Sequence, residues 1–184
     1  MPNWCDTTYK AVGTKEQVKK FYDLAMSSWN KTDNNQGWLG HFVTELGGNW
    51  EQVYCRGWMR DQPYLNNDGT ECTIFCYTAW GEPNQWREFI QSQIDGLFLY
   101  YVAIEPGCGV YCSNDDYYAD KYYVDYAIEQ PDSPYMTEDE LLEFMSNELG
   151  VDLDSADECI EYAKRYTENN DNEWLFINEM EITD

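Results

Sequence analysis

Apolar and polar side chains alternate along the chain in runs that mark out short strands and helices. Thr7–Val12 alternates and stops at Gly13, the pattern of a strand. Thr14 then stands three residues before Gln17 as a capping box. Val18, Phe21, Tyr22, Ala25, Met26 and Trp29 follow at helical spacing. Asn30–Gly40 is polar and rich in Asn and Gly, which predicts a loop. Trp50–Met59 and Glu71–Trp80 read as strands, joined through Pro63 and the turn signal Asn66-Asn67-Asp68-Gly69. Pro83-Asn84 opens a second helix with Trp86, Phe89, Ile90, Ile94 and Leu97 on its apolar face and Gly96 as its stop. Leu97–Glu105 is an apolar strand broken by Pro106-Gly107, Val110–Cys112 continues it, and Tyr122–Glu129 alternates as another strand.

Two acidic helices follow. Thr137 with Glu140 and Ser155 with Glu158 are capping-box pairs. Leu141, Leu142, Met145 and Leu149 form one stripe, ended by Gly150, and Cys159, Ile160, Ala163 and Tyr166 form the other. Trp174–Ile182 reads as a last strand with Trp174, Phe176, Met180 and Ile182 in phase. Gln130–Tyr135 holds two prolines and is the linker candidate. The order is β-α-β-β-α-β, a hairpin-like piece, then α-α-β. It predicts an α+β protein with a ferredoxin-like antiparallel sheet and two helices in residues 1–113. Residues 114–184 are expected to form an acidic α-α-β extension packed on that core.

Charge changes this picture most. The chain carries 11 Lys+Arg against 35 Asp+Glu, a net −24. Residues 1–60 hold 7 basic and 6 acidic side chains, whereas residues 61–184 hold 4 and 29. Self-repulsion opposes compaction, so this excess was not selected for stability. It repels nucleic acid and anionic membrane and attracts basic protein surfaces. With 8 Trp and 16 Tyr the chain is too aromatic for a disordered acidic tail. It has no apolar run of 18 residues and no secretory signal pattern at its start. The expectation is a protein of the bacterial cytoplasm, its seven cysteines present as thiols.

Catalytic chemistry is sparse. His41 is the one histidine and reads as a solvated loop side chain. Phosphate-binding glycine loops, His-Glu-x-x-His and Gly-x-Ser-x-Gly are absent. Cys72-x3-Cys76 and Cys108-x3-Cys112 raise the question of zinc. Along a strand, however, i and i+4 stand about 13 Å apart, so both pairs read as core thiols on one sheet face. Asp152-Leu153-Asp154 with Asp157 lacks the glycine-centred calcium-loop pattern and reads as a helix start. No catalytic residue, metal ligand or cofactor follows, and a role in binding is expected rather than an enzyme. The pairs Tyr117-Tyr118 and Tyr122-Tyr123 each place one ring outward, which suits a protein interface.

Met1-Pro2-Asn3-Trp4-Cys5, followed by a strand and a glycine, resembles the opening of the YubB-type ferredoxin-like family of phages and plasmids. Thr78-Ala79-Trp80-Gly81-Glu82-Pro83 is similar to that family's Thr/Ala-Trp-Ser-Pro-Pro junction, with Gly81-Glu82 replacing Ser-Pro. The Tyr101–Gly109 segment, with Glu105-Pro106-Gly107, resembles its Tyr-x-Glu-x-Gly segment, and Arg56-Gly57-Trp58 echoes its Asn-Trp-Gly motif. The resemblance covers residues 1–113 and implies a mobile-element origin and a ferredoxin-like core, without a catalytic residue.

Taken with the charge, it leads to an expected phage inhibitor of a host defence nuclease, either a CRISPR effector (an anti-CRISPR) or a restriction enzyme. The protein acts as an acidic DNA or RNA mimic and binds no nucleic acid or membrane itself. The partner-binding candidates are Asp115, Asp116, Tyr118, Asp120 and Asp125, then Glu138, Asp139, Glu140, Glu143 and Glu148, then Asp157, Glu158 and Glu161. The alternative is a non-enzymatic accessory or scaffold protein of phage or plasmid metabolism whose charge only maintains solubility. Oligomeric state and target stay open.

Overall fold

The structure, a computed structural model, describes residues 3–32, 34–128 and 131–183. The chain divides into two compact units, Met1–Asp115 and Asp116–Thr183. Each has its own buried apolar cluster.

In the first unit the alternation of β1 (Trp4–Val12) buries Cys5, Thr7, Tyr9 and Ala11 and leaves Asp6, Thr8 and Lys10 on the other face. β1 runs antiparallel between β4 (Glu71–Ala79) and β5 (Phe98–Glu105). The register sets Tyr9 between Ile74 and Tyr101, and Ala11 between Cys72 and Leu99. The short strands β2 (Gly57–Met59) and β3 (Tyr64–Leu65) pair with β4, and β6 (Val110–Ser113) pairs with β5. Within this unit the order is β6-β5-β1-β4-β2, antiparallel throughout.

Two helices cover one face of this sheet, as the stripes predict. Val18, Phe21 and Ala25 of α1 (Lys15–Trp29) share a buried cluster with Tyr9, Ile74 and Leu99, and so do Trp86 and Ile90 of α3 (Asn84–Gln93). The Thr14–Gln17 capping box is formed, and the Gln17 Nε2 donates on to the Asp95 carbonyl at 2.6 Å. Trp86 is fully buried, packs 4.9 Å from the Tyr9 ring and donates its indole N–H to the Leu39 carbonyl at 3.0 Å.

Several expectations need correction. A further helix, α2 (Gly40–Glu45), follows the predicted loop, and it has no side-chain cap. Burial of Phe42 and Val43 holds it, with the Phe42 ring 5.7 Å from Phe21 and 5.3 Å from Trp86. His41 lies on this helix and is half-buried, its Nδ1 3.0 Å from Ser28 Oγ, so it is not a solvated loop residue. The predicted strand Trp50–Met59 shrinks to Gly57–Met59. Its earlier amides are drawn into turn and helix contacts, Glu51 donating to Asn49 Oδ1 and Tyr54 to Gln85 Oε1. Cys72 and Cys76 are buried on the helix-covered face, but Cys108 is exposed in the 3₁₀ turn Pro106–Cys108 and Cys112 is only half-buried. The two thiol pairs therefore do not share one buried environment.

The second unit is built on β7 (Tyr122–Tyr126), flanked antiparallel by β8 (Tyr135–Met136) and β9 (Leu175–Glu179). Val124, Tyr126, Leu175 and Ile177 face Leu141, Phe144 and Met145 of α4 (Glu138–Leu149) and Cys159 and Ala163 of α5 (Ala156–Asn169). The strand expected over Trp174–Ile182 is interrupted at Met180, which is buried as its phase predicts, but within Leu175–Glu179 the expected phase is reversed. Pairing of Val124 with Ile177 and of Tyr126 with Leu175 puts the odd-numbered positions in the core, while Trp174 and Phe176 are exposed. Of the linker candidate, Gln130 lies outside the described residues, whereas Pro131 and Pro134 stand in the connection between two paired strands of one unit. No helix among the described residues is long and apolar enough to cross a membrane.

Candidate acidic interface

The acidic helices begin with strong local signals. Thr137 is the N-cap of α4; its hydroxyl accepts from the Glu140 amide, and Glu140 Oε2 accepts from the Thr137 amide at 2.8 Å and from its hydroxyl at 2.9 Å. These bonds favour the ionised form and hold the Glu140 carboxyl below its ordinary value. Gly150 closes α4 in the left-handed conformation, φ 66°. At α5, Ser155 accepts from the Glu158 amide, but the Glu158 carboxylate reaches past it to the Asp154 amide at 3.1 Å. The two starts are joined, because Glu138 Oε1 accepts from the Ala156 amide at 3.0 Å.

That bond brings the first turns of both helices together. Glu138, Asp139, Glu140, Asp157 and Glu158 share this corner, where the exposed amides and the helix dipoles favour negative charge. Burying Leu141, Phe144 and Met145 turns Asp139 and Glu143 outward, and burying Cys159 and Ala163 does the same for Asp157 and Glu161; Glu148 lies in line with the buried stripe and is exposed in the last turn of α4. All eight candidates on the two helices are exposed. The ion pairs among the described residues are Lys10–Asp115, Lys19–Asp23, Lys31–Glu45, Arg60–Asp6 and Arg87–Glu82, and none uses a carboxylate of α4 or α5. Lys164 and Arg165 are the cations of α5, and Arg165 donates its Nε to the Glu161 carbonyl, leaving the carboxylate outside the bond. The negative field reaches neighbouring groups. Tyr122 is raised above its ordinary value by burial, then by the charges of Glu179, Glu138 and Asp157.

The remaining candidates sit elsewhere. Asp115 belongs to the first unit, where it pairs with Lys10 at 3.7 Å and is largely covered. Asp116 is exposed in a turn, and Asp120 is half-buried. Asp125 lies on β7 and accepts from the Trp174 indole at 3.3 Å. Tyr118 is half-buried, and its neighbour Tyr117 is the exposed ring of the pair, 93% accessible.

Two features of the first unit were not read from the sequence. One is a buried polar cluster: Glu82 Oε1 accepts from the Tyr9 hydroxyl at 2.9 Å and from Arg87 Nε at 3.3 Å, and Arg87 lies over the Tyr101 ring. Burial pushes the Glu82 carboxyl above its ordinary value although Arg87 pulls the other way. The other is a cavity of about 740 Å³ lined by Trp38, Trp50, Tyr54, Arg56, Trp58 and neighbours. The density of Trp between residues 38 and 58 was its one sequence signal. Among the described residues no group of three or more His, Cys, Asp and Glu is placed to hold a metal ion. Comparison of the chain with protein-family models, with curated proteins and with solved structures finds no match.

Proposed function

We propose that the protein is an inhibitor that occupies the nucleic-acid channel of a basic, nucleic-acid-handling protein, a host defence nuclease, with α4 and α5 standing in for phosphates. The observation that carries this reading is the set of outward carboxylates on two capped helices with no cation paired to them among the described residues. Asp139 and Glu143, like Asp157 and Glu161, are spaced i, i+4, which puts like charges about 5–6 Å apart and costs a few tenths of a kcal/mol per pair. A surface kept at such a cost suits a partner that supplies the missing Lys and Arg. Duplex DNA offers that partner about one charge per 1.7 Å of axis, and dense carboxylates on a rigid support present a comparable field.

The first unit supports the mobile-element side of the proposal. Its main strands run in the order β5-β1-β4-β2 with antiparallel neighbours, the arrangement of a ferredoxin-like fold, and we assign that fold. The assignment agrees with the resemblance of the sequence segments Met1–Cys5 and Thr78–Pro83 to YubB-type phage and plasmid proteins.

The test is capture of nucleic-acid-binding proteins from a bacterial lysate on the immobilised protein, then displacement of labelled DNA from the captured nuclease. The parent protein is expected to displace DNA. The variant D139K/E143K/E161K is expected to lose displacement, and K15E/K19E/K20E is expected to retain it. The reverse pattern overturns the proposal and moves the interface to the first unit.

A further inference from the structure

We propose that the cavity of the first unit binds a planar aromatic ring carrying an anionic group, the chemistry of a nucleoside monophosphate. Its volume, about 740 Å³, falls within the roughly 300–1,000 Å³ usual for small-molecule sites. Its walls are aromatic. Trp50 and Tyr54 are 47% and 41% exposed, Trp38 and Trp58 are half-buried, and the Trp38 and Trp50 rings meet edge to face at 5.2 Å.

These walls are held in place before any ligand arrives. The Tyr54 hydroxyl donates to the Ala79 carbonyl at 3.0 Å, and the Tyr54 amide donates to Gln85 Oε1 at 2.9 Å. Trp58 rests edge-on against Trp4 at 5.7 Å. The Trp38 ring lies so close over Gly40 that a Cβ there would stand 2.3 Å from it. Residues 37 to 39 are bonded to β2, the Leu39 amide donating to the Gly57 carbonyl and the Met59 amide to the Gly37 carbonyl.

The polar groups set the ligand's charge. Arg56 lines the cavity, and its guanidinium has no ion-pair partner among the described residues. The indole N–H groups of Trp38, Trp50 and Trp58 likewise donate to no described residue. Gln85 spends its oxygen on Tyr54 and keeps its amide N–H groups. Stacking faces beside a fork of free donors suit a ring with a phosphate or carboxylate attached. Glu51 also lines the cavity and supplies an acceptor for ring amino or ribose hydroxyl groups. Aromatic walls also attract cations, which Glu51 favours and the Arg56 guanidinium opposes, so a quaternary ammonium is the competing ligand that the titration must separate.

Calorimetric titration with AMP, GMP, CMP and UMP tests this, with adenosine, inorganic phosphate and tetramethylammonium as the separate parts. At least one monophosphate is expected to bind, with its nucleoside and phosphate each at least about tenfold weaker. Arg56→Ala is expected to weaken it about 10- to 100-fold with an unchanged melting temperature, the scale of one charged hydrogen-bonding group. Arg56→Lys is expected to recover part of the loss, and Trp50→Ala to weaken the monophosphate and the nucleoside alike. The proposal is overturned if none of the four monophosphates binds at millimolar concentration, if Arg56→Ala leaves their binding unchanged, or if tetramethylammonium binds more tightly.

Discussion

The Glu138 carboxylate accepts a hydrogen bond from the Ala156 amide at 3.0 Å, so the first residue of α4 caps the first residue of α5. Glu140 and Glu158 cap within their own helices, whereas Glu138 joins one helix to the other, a task that the outward Asp139, Glu143 and Glu161 lack. Glu138→Ala is expected to destabilise the second unit by about 0.5–2 kcal/mol, the usual scale for a lost helix cap. Glu143→Ala, which removes an outward carboxylate, is expected to change stability by less than about 0.5 kcal/mol. Thermal unfolding followed through the backbone amide NMR signals of α4 and α5 separates the two. Equal effects would show that the Glu138 bond contributes nothing. For the same reason charge reversals that probe binding belong at Asp139, Glu143 and Glu161 rather than at Glu138.

The unpaired carboxylates repel one another, and salt screens that repulsion over a Debye length of about 8–10 Å near physiological ionic strength. The melting temperature of the second unit, read from the same amide signals, is expected to rise between 20 mM and 500 mM sodium chloride. Glu143→Gln/Glu161→Gln, which leaves the first turns of both helices intact, is expected to raise it at low salt and to flatten that dependence. Complex formation with a basic target should respond oppositely and weaken as salt increases. A melting temperature that is flat or falls with salt would show that the carboxylates do not repel at a cost.

How far the chain is legible from its sequence depends on the range of the interaction. Thr14 with Gln17, Thr137 with Glu140 and the stop at Gly150 are bonds within a few residues, and each forms as read. The reversed phase of β9 is a long-range effect. Trp174 and Phe176 are the bulkier side chains, yet register with Val124 and Tyr126 gives the core to Leu175 and Ile177. The helix at Gly40–Glu45 has no cap to announce it and depends on Phe42 meeting Phe21 and Trp86. The acidic surface was visible as a charge count, but the bond from Glu138 to Ala156 spans 18 positions. Trp38, Trp50 and Trp58 come together only once β2 pairs with residues 37–39, so their density in the sequence did not by itself mark a cavity.

Arg87 lies in the first unit's core with Glu82, their side chains 8% and 5% exposed. Arg87→Ala leaves a buried carboxylate unpaired, and a loss of about 3–5 kcal/mol is expected at neutral pH. Burial already raises Glu82 above the reference value of 4.5, so the folded state holds its proton more tightly than the unfolded state does. That contribution is fully present below the reference value and is lost as the pH rises through the folded value. Removing Arg87 removes the attraction that lowers Glu82, so the variant should lose stability more steeply with rising pH than the parent. Denaturant unfolding between pH 4 and pH 8 checks this. The double variant R87A/E82Q should remove the added pH dependence, and if it does not, Glu82 is not its source.

Cysteine reactivity should sort by place in the fold. Cys72 and Cys76 are shielded in the core, and burial alone pushes the Cys72 thiol up to about 12. Cys108 is exposed, yet the Glu105 carboxylate beside it raises its thiol, so its labelling should be slow at neutral pH and quicken as pH rises. Mass spectrometry after native labelling with a maleimide is expected to find Cys108 modified first and Cys72 and Cys76 unmodified until denaturant is added. Early modification of Cys72 or Cys76 would show that the sheet and its two helices open readily.

Selection reads a surface such as α4 and α5 as an amount of charge rather than as an identity. Asp139, Glu143, Glu148, Asp157 and Glu161 hold no neighbour in place, so each can drift to another residue while an acid appears at a nearby outward position. Thr137, Glu138, Ser155 and Gly150 have no such freedom, because the starts and stops of the helices depend on them. Descendants of this chain should therefore keep the caps in place and let the carboxylates wander. In such a lineage ancestry is written in the hinges of the helices, and any recognition by charge survives the turnover of the residues that supply it.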